Sequence, residues 1–220
     1  MICLVSDRRR LSAESDGIDR LVDLVSAAAR AGIDLIQIRE RDLEAGALLS
    51  LVSRCRDAID GTRAKLLVND RADVAAAAGV HGVHLRADSF GAFAVRSLIG
   101  EHAVIGRSVH SAEEAGIVSR AGGVDYLMFG TLYRTASKTA ALPVASLDQL
   151  SSACRAAPGV PVLAIGGITV ERATEVARAG AAGVAGIALF IPPAGTSADR
   201  HLESVAHALR RTFDTCEAVT

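Results

Sequence analysis

Gln37, Arg39 and Arg41 alternate along Gln37-Ile38-Arg39-Glu40-Arg41, directly after an apolar run. In an extended chain alternate residues share a side, so the three make a cluster of donors suited to an anionic substrate. An equally weighted reading is a rim salt-bridged by Glu40 and Asp42. The next run ends in Asn69-Asp70-Arg71. Asn69 can donate and accept toward a ligand. Asp70 either ligates a metal or caps the following helix, the commoner fate of an Asp there. Gly106-Arg107-Ser108-Val109-His110-Ser111 brings Ser108 and His110 to just before a helix start. An imidazole can accept and deliver protons near neutral pH, so His110 is the candidate acid/base. His81, His84, His102, His201 and His207 read as structural or solvated, and the six-residue spacing of His201 and His207 suits no metal.

Phosphate chemistry is suggested further along. The segment Phe129 to Thr139 is rich in hydroxyls and holds Lys138, one of only two lysines in the chain. It reads as plain surface or as a loop that closes over a phosphorylated ligand, with Thr135, Ser137 and Lys138 as contacts. Gly166-Gly167 follows one apolar run and Gly186-Ile187 ends the next. Paired glycines let backbone N–H groups approach an anion at the start of a helix.

The elements that must position these residues recur every 20 to 30 residues: an apolar run, a turn, then an amphipathic stretch. The runs are Ile2–Ser6, Ile33–Arg39, Lys65–Asp70, Gly82–Leu85, Ala103–Val109, Val124–Gly130, Val160–Gly166 and Gly183–Ala188. Their near-continuous aliphatic character predicts parallel strands buried on both faces. Leu21, Val22, Val25, Ala28 and Ala29 make one helical stripe, and Leu202, Val205, Ala206 and Leu209 another. Ser111-x-x-Glu114 and Ser146-x-x-Gln149 predict capping boxes, and Gly32, Gly79, Gly100 and Gly180 mark helix ends. Eight such units predict an α/β fold, a single (β/α)8 TIM barrel over residues 1–220, in preference to an open doubly wound sheet. In that barrel the residues above lie at the C-terminal ends of the strands, where active sites sit.

Composition narrows the function classes. Half of the residues are hydrophobic but only 3% are aromatic, so the core is built from Ala, Val, Leu and Ile. A net charge of −1 gives no broad footprint for nucleic acid or an anionic membrane. Cys3, Cys55, Cys154 and Cys216 are scattered, without metal spacing, as expected of thiols in a reducing cytoplasm. The uncharged stretch Ala179 to Ser197 is broken by glycines and Pro192-Pro193, and reads as a buried strand and loop.

In order, Q-I-R-E-R, L-V-N-D-R-A-D-V, G-V-H-L, I-G-x-S-V-H-S-x-E-E-A, D-Y-L-M-F-G-T-L-Y-x-T-x-S-K and A-I-G-G-I resemble the thiamine phosphate synthase and TenI-like thiazole tautomerase superfamily, from about Ile2 to Phe190. In the synthase branch the resemblance implies that Gln37, Arg39, Arg41 (usually Lys) and Asn69 hold a pyrimidine diphosphate. Lys138 then contacts diphosphate and Asp70 is one of two aspartates holding Mg²⁺. The second aspartate belongs five residues after the His of G-V-H-L, where this chain has Ser89, with Asp88 one position earlier. Mg²⁺ demands near-octahedral oxygen ligands, so the offset speaks against the metal. The S-V-H-S turn and F-G-T resemble the TenI branch, whose catalytic His matches His110. Gly186-Ile187-Ala188 replaces the Ser often found near the phosphate.

The expectation is therefore a cytoplasmic thiazole tautomerase that aromatises a carboxylated dihydrothiazole phosphate. His110 moves the proton, Gly166, Gly167, Gly186 and Ile187 hold phosphate, Arg39 and Lys138 face the substrate, and no metal is needed. The first alternative is thiamine phosphate synthase, with Mg²⁺ and Asp70 as its one candidate ligand. The second is a non-catalytic TenI-like binding protein. The resemblance also implies a homodimer.

Overall fold

The structure is a computed structural model in which residues 1–12, 16–134 and 144–217 are described, with side chains as far as residue 214. Eight strands close into a parallel barrel in sequence order: β1 (Ile2–Val5), β2 (Leu35–Ile38), β3 (Lys65–Asn69), β4 (Gly82–Leu85), β5 (Val104–Val109), β6 (Tyr126–Gly130), β7 (Val162–Ile165) and β8 (Gly183–Gly186). β8 returns to pair with β1, so no edge is left open. Every predicted run contains its strand, trimmed by up to two residues at an end.

Helices follow the strands: α1 (Gly17–Arg30), α2 (Ala45–Ala58), α3 (Ala72–Ala78), α4 (Ala92–Ile99), α5 (Ala112–Ala121), α6 (Leu147–Ala156), α7 (Ala173–Arg178) and α8 (Ala198–Glu217). Ser146 and Gln149 form the complete capping box. At α5 only half of the box forms: Ser111 accepts from the Glu114 backbone, while the Glu114 carboxylate takes the His110 N–H at 2.7 Å. Of the four helix-end glycines, Gly79 is the left-handed cap itself; Gly32 and Gly180 lie one residue beyond theirs, and Gly100 ends α4 in an extended form with positive φ.

Period-two alternation divides the sheet between two cores. One set packs against the helices, and Cys3, Val5, Leu35, Leu67, Tyr126, Met128, Leu163 and Ala185 fill the barrel. Room for the Tyr126 ring comes from Gly106, where a Cβ would stand 2.0 Å from the ring Cζ. Ala179 to Ser197 resolves into β8, a short 3-10 turn at Ala188–Phe190 and a loop. No helix among the described residues is long and apolar enough to cross a membrane.

Candidate active site

Continuing the inward alternation toward the C-terminal ends changes the barrel lining from apolar to polar. Leu35 is followed inward by Gln37 and Arg39, Leu67 by Asn69, Gly82 by His84, and Gly106 by Ser108. His84, 2% exposed, joins two of these strands to β6: Nδ1 lies 2.9 Å from the Tyr126 hydroxyl and Nε2 2.9 Å from Ser108 Oγ. Burial, reinforced by the positive charge of Arg39, pushes the His84 pKa down to about 3. Burial also raises the Tyr126 phenol well above its ordinary range. Both groups stay neutral, and the imidazole fixes both hydroxyls. The sequence offers His84 as structural or solvated; G-V-H-L decides between them, since alternation in a closed barrel sends its His inward.

Beside this network Gln37 Nε2 donates to Asn69 Oδ1 at 2.9 Å. Gln37 is buried, and its Oε1 has no hydrogen-bond partner among the described residues. The pair thus leaves a buried acceptor unpaired next to an amide whose N–H₂ is not used in it.

The two readings of the Arg39–Arg41 rim separate here. Glu40 is buried and accepts from Ser6 Oγ at 2.6 Å and from Arg8 Nη1 at 2.8 Å. Arg8 reaches on to Asp42 at 2.7 Å, and Arg9 to Asp42 at 3.0 Å. Both carboxylates are thus consumed by the β1 loop, and neither pairs with Arg39 or Arg41. Neither of those guanidinium groups has a hydrogen bond or ion pair among the described residues. Arg39 is half-buried, and its pKa is lowered by desolvation and by the neighbouring charge of Arg41, as at a site that lacks its counter-anion.

Asp70 does not cap the next helix, whose cap position is Arg71 with no side-chain cap bond. With φ at 56°, Asp70 turns its carboxylate to Ser89 Oγ, which donates in a short bond, and to the Arg86 N–H at 3.5 Å. The Arg86 guanidinium stands 4.0 Å from Asp70 and 2.7 Å from Asp88. The Asp88 side chain is 70% exposed. No group of three His, Cys, Asp or Glu that could hold a metal exists among the described residues. One carboxylate already bonded to a hydroxyl and faced by a guanidinium is a poor Mg²⁺ cradle. These residues do not fit the two-aspartate cation site.

His110 is exposed at the β5 rim, with Nδ1 2.8 Å from the Gly130 carbonyl, so Nδ1 donates and Nε2 has no partner among the described residues. The glycines after β7 have positive φ, 104° at Gly166 and 63° at Gly167. A Cβ would lie 2.4 Å from Thr131 Cγ2 at the first and 2.7 Å from Tyr133 Cβ at the second. They are thus required for packing against the segment after β6. Helix α7 begins only at Ala173, so any anion at this turn meets its own N–H groups and no helix start. After β8, Ile187 turns into the barrel lining and Gly186 backs onto Leu189. Gly183 sits at the opposite end of the barrel, against Met1. Thr135, Ser137 and Lys138 lie outside the described residues.

A closed (β/α)8 barrel with a polar, arginine-rimmed mouth has the architecture of enzymes that hold small molecules at the strand ends. The profile of the thiamine monophosphate synthase family matches residues 2–190. A thiamine-phosphate synthase of Roseiflexus castenholzii is 39% identical over 207 residues, 94% of this chain and 88% of the relative. A putative thiamine-phosphate synthase of Geobacter sulfurreducens is 39% identical over 188 residues, covering 86% and 85%. Thiamine phosphate pyrophosphorylase from Pyrococcus furiosus superposes with a TM-score of 0.77 at 27% identity, over 98% of this chain and 96% of that one. The 3-hexulose-6-phosphate synthase of Salmonella typhimurium, at TM-score 0.69 and 12% identity over 96% and 99%, shares the fold alone. The chain belongs to the thiamine monophosphate synthase family, a family of thiamine-biosynthesis enzymes. These comparisons favour the synthase alternative drawn from the sequence; the tautomerase reading gains nothing from them.

Proposed function

We propose that the chain condenses a hydroxymethylpyrimidine diphosphate with a thiazole phosphate. The diphosphate leaves the exocyclic carbon of the pyrimidine, the thiazole nitrogen bonds to that carbon, and thiamine phosphate and diphosphate are released. The observation that carries this reading is the Gln37–Asn69 pair below two unpaired guanidiniums. A free carbonyl acceptor beside an amide donor complements the edge of an aminopyrimidine, and Arg39 and Arg41 face the charge of its diphosphate. Ser108, held by neutral His84, contributes a fixed hydroxyl at the same wall. Departure of diphosphate builds negative charge on its oxygens, so guanidiniums aimed there stabilise the transition state more than the ground state. The glycine turn after β7 and the segment at Gly186-Ile187 are the seat assigned to the thiazole phosphate.

The test is substrate-selective. Gln37→Leu keeps volume and removes the acceptor. It should weaken binding of the pyrimidine diphosphate about tenfold or more, the usual cost of an unpaired buried polar group, and leave thiazole phosphate binding unchanged. Equal loss of both ligands would contradict the assignment. One observation keeps the tautomerase as a second reading: His110, its tautomer set by Gly130, presents a free Nε2. His110→Asn separates the two, since it should lower a carbon-to-carbon proton shift by about 10²–10⁴-fold and spare condensation.

A further inference from the structure

We propose that this chain has exchanged the two-aspartate cation site of its mouth for guanidinium charge, so that Arg39, Arg41 and Arg86 receive the substrate's diphosphate without a divalent metal ion; the inference rests on the synthase reading above.

The exchange is built into the turn after β4. Ser89 stands where the family resemblance calls for the second carboxylate, and its hydroxyl donates to Asp70. A second bond, from the Arg86 N–H to Ser89 Oγ at 3.0 Å, closes the turn. The turn is also held from the neighbouring strand. Arg107, on β5, donates from Nη1 to the Phe90 carbonyl at 2.8 Å, and from Nη2 to those of Ala87 at 2.9 Å and Ser89 at 2.7 Å. Three bonds from one guanidinium hold the turn in the register that sets Ser89, and not Asp88, against Asp70. Asp88 points to solvent and is paired with Arg86.

Charge and topology then agree. Arg86 lies two residues beyond inward-facing His84 on β4, as Arg39 lies two beyond inward-facing Gln37 on β2. Strand β3, ending at Asn69 and Asp70, runs between them. The carboxylates nearest Arg39, Asp7 and Glu40, are held by Arg10 and Arg8. Among the described residues Arg39 and Arg41 are left without an ion pair, while Arg86 lies against Asp70 and Asp88. A divalent cation at Asp70 would meet the Arg86 guanidinium beside the same carboxylate. A diphosphate meets these guanidiniums favourably, and they bind its oxygens in bidentate pairs.

Titration calorimetry with inorganic pyrophosphate tests this on the whole chain, once in EDTA and once in excess Mg²⁺. Wild type should bind equally in both, within about threefold, and Arg86→Gln should weaken binding about tenfold in both, the worth of one charge-assisted contact. Ser89→Asp should make binding depend on Mg²⁺, weak in EDTA and recovered on adding metal. Circular dichroism and thermal melting of each variant establish that it folds, and Arg86→Lys should retain part of the affinity. Wild-type binding that is lost in EDTA and regained with Mg²⁺ would overturn the proposal and leave the synthase reading standing. Absence of pyrophosphate binding in both buffers, with thiazole phosphate still bound, would overturn both.

Discussion

His84 sits between two hydroxyls inside the barrel, and burial, followed by the charge of Arg39, opposes its protonation. Its folded-state pKa is depressed from 6.5 to about 3, while the unfolded chain keeps the ordinary value. Below about pH 6.5 the unfolded state binds a proton that the folded state refuses, so stability is full above that pH and falls as pH drops toward 3. The slope should approach about 1.4 kcal/mol per pH unit. Urea unfolding between pH 4 and 8 should show a shallower acid loss in His84→Gln than in wild type. Parallel curves would mean that His84 is not the titrating group. At this scale the sequence was half legible. Gln37, Arg39, Asn69 and Ser108 were singled out, and the structure gathers them on one polar wall. His84 read as structural or solvated, and the choice between them is visible only once its neighbours on β4 are assigned a side. Asp70 was assigned to a cap or a metal because its bond to Ser89 crosses between strands, and no local spacing encodes it.

Strands and turns were the most legible features, because alternation and glycine punctuation are local. What the sequence withheld was the reason for particular small residues. Gly106 is a notch for the Tyr126 ring, so Gly106→Ala must displace a ring that holds His84. Overpacking of this kind costs about 1–3 kcal/mol, and the melting temperature should fall by roughly 2–4 °C for each kcal/mol in a chain of this size. An unchanged melting temperature would show that the ring has room to move. The Arg107 clamp belongs to the same scale. Arg107→Met should speed amide hydrogen exchange in residues 86–90 about tenfold or more, as expected when local opening becomes easier, and leave β5 protected. Unchanged exchange would mean that the turn holds its shape unaided. Nothing in the chain's pattern pointed to Arg107, since its partners are backbone carbonyls that any residues supply.

For the whole molecule, eight repeating units made the barrel readable, and the ordered motifs made the family readable. The branch was not, because it turns on how a few charges are shared across neighbouring strands. The absence of an aspartate at Ser89 weighed toward the tautomerase in sequence, whereas the relatives are named synthases. The proposed guanidinium charge at the mouth would reconcile the two, taking over the metal's task while keeping the diphosphate. The most direct measurement incubates purified protein with hydroxymethylpyrimidine diphosphate and thiazole phosphate and follows products by mass spectrometry. Thiamine phosphate and inorganic diphosphate should appear one for one, in EDTA as in Mg²⁺. Failure to form either product under both conditions, while the carboxylated dihydrothiazole phosphate is converted to its aromatic isomer, would contradict the account.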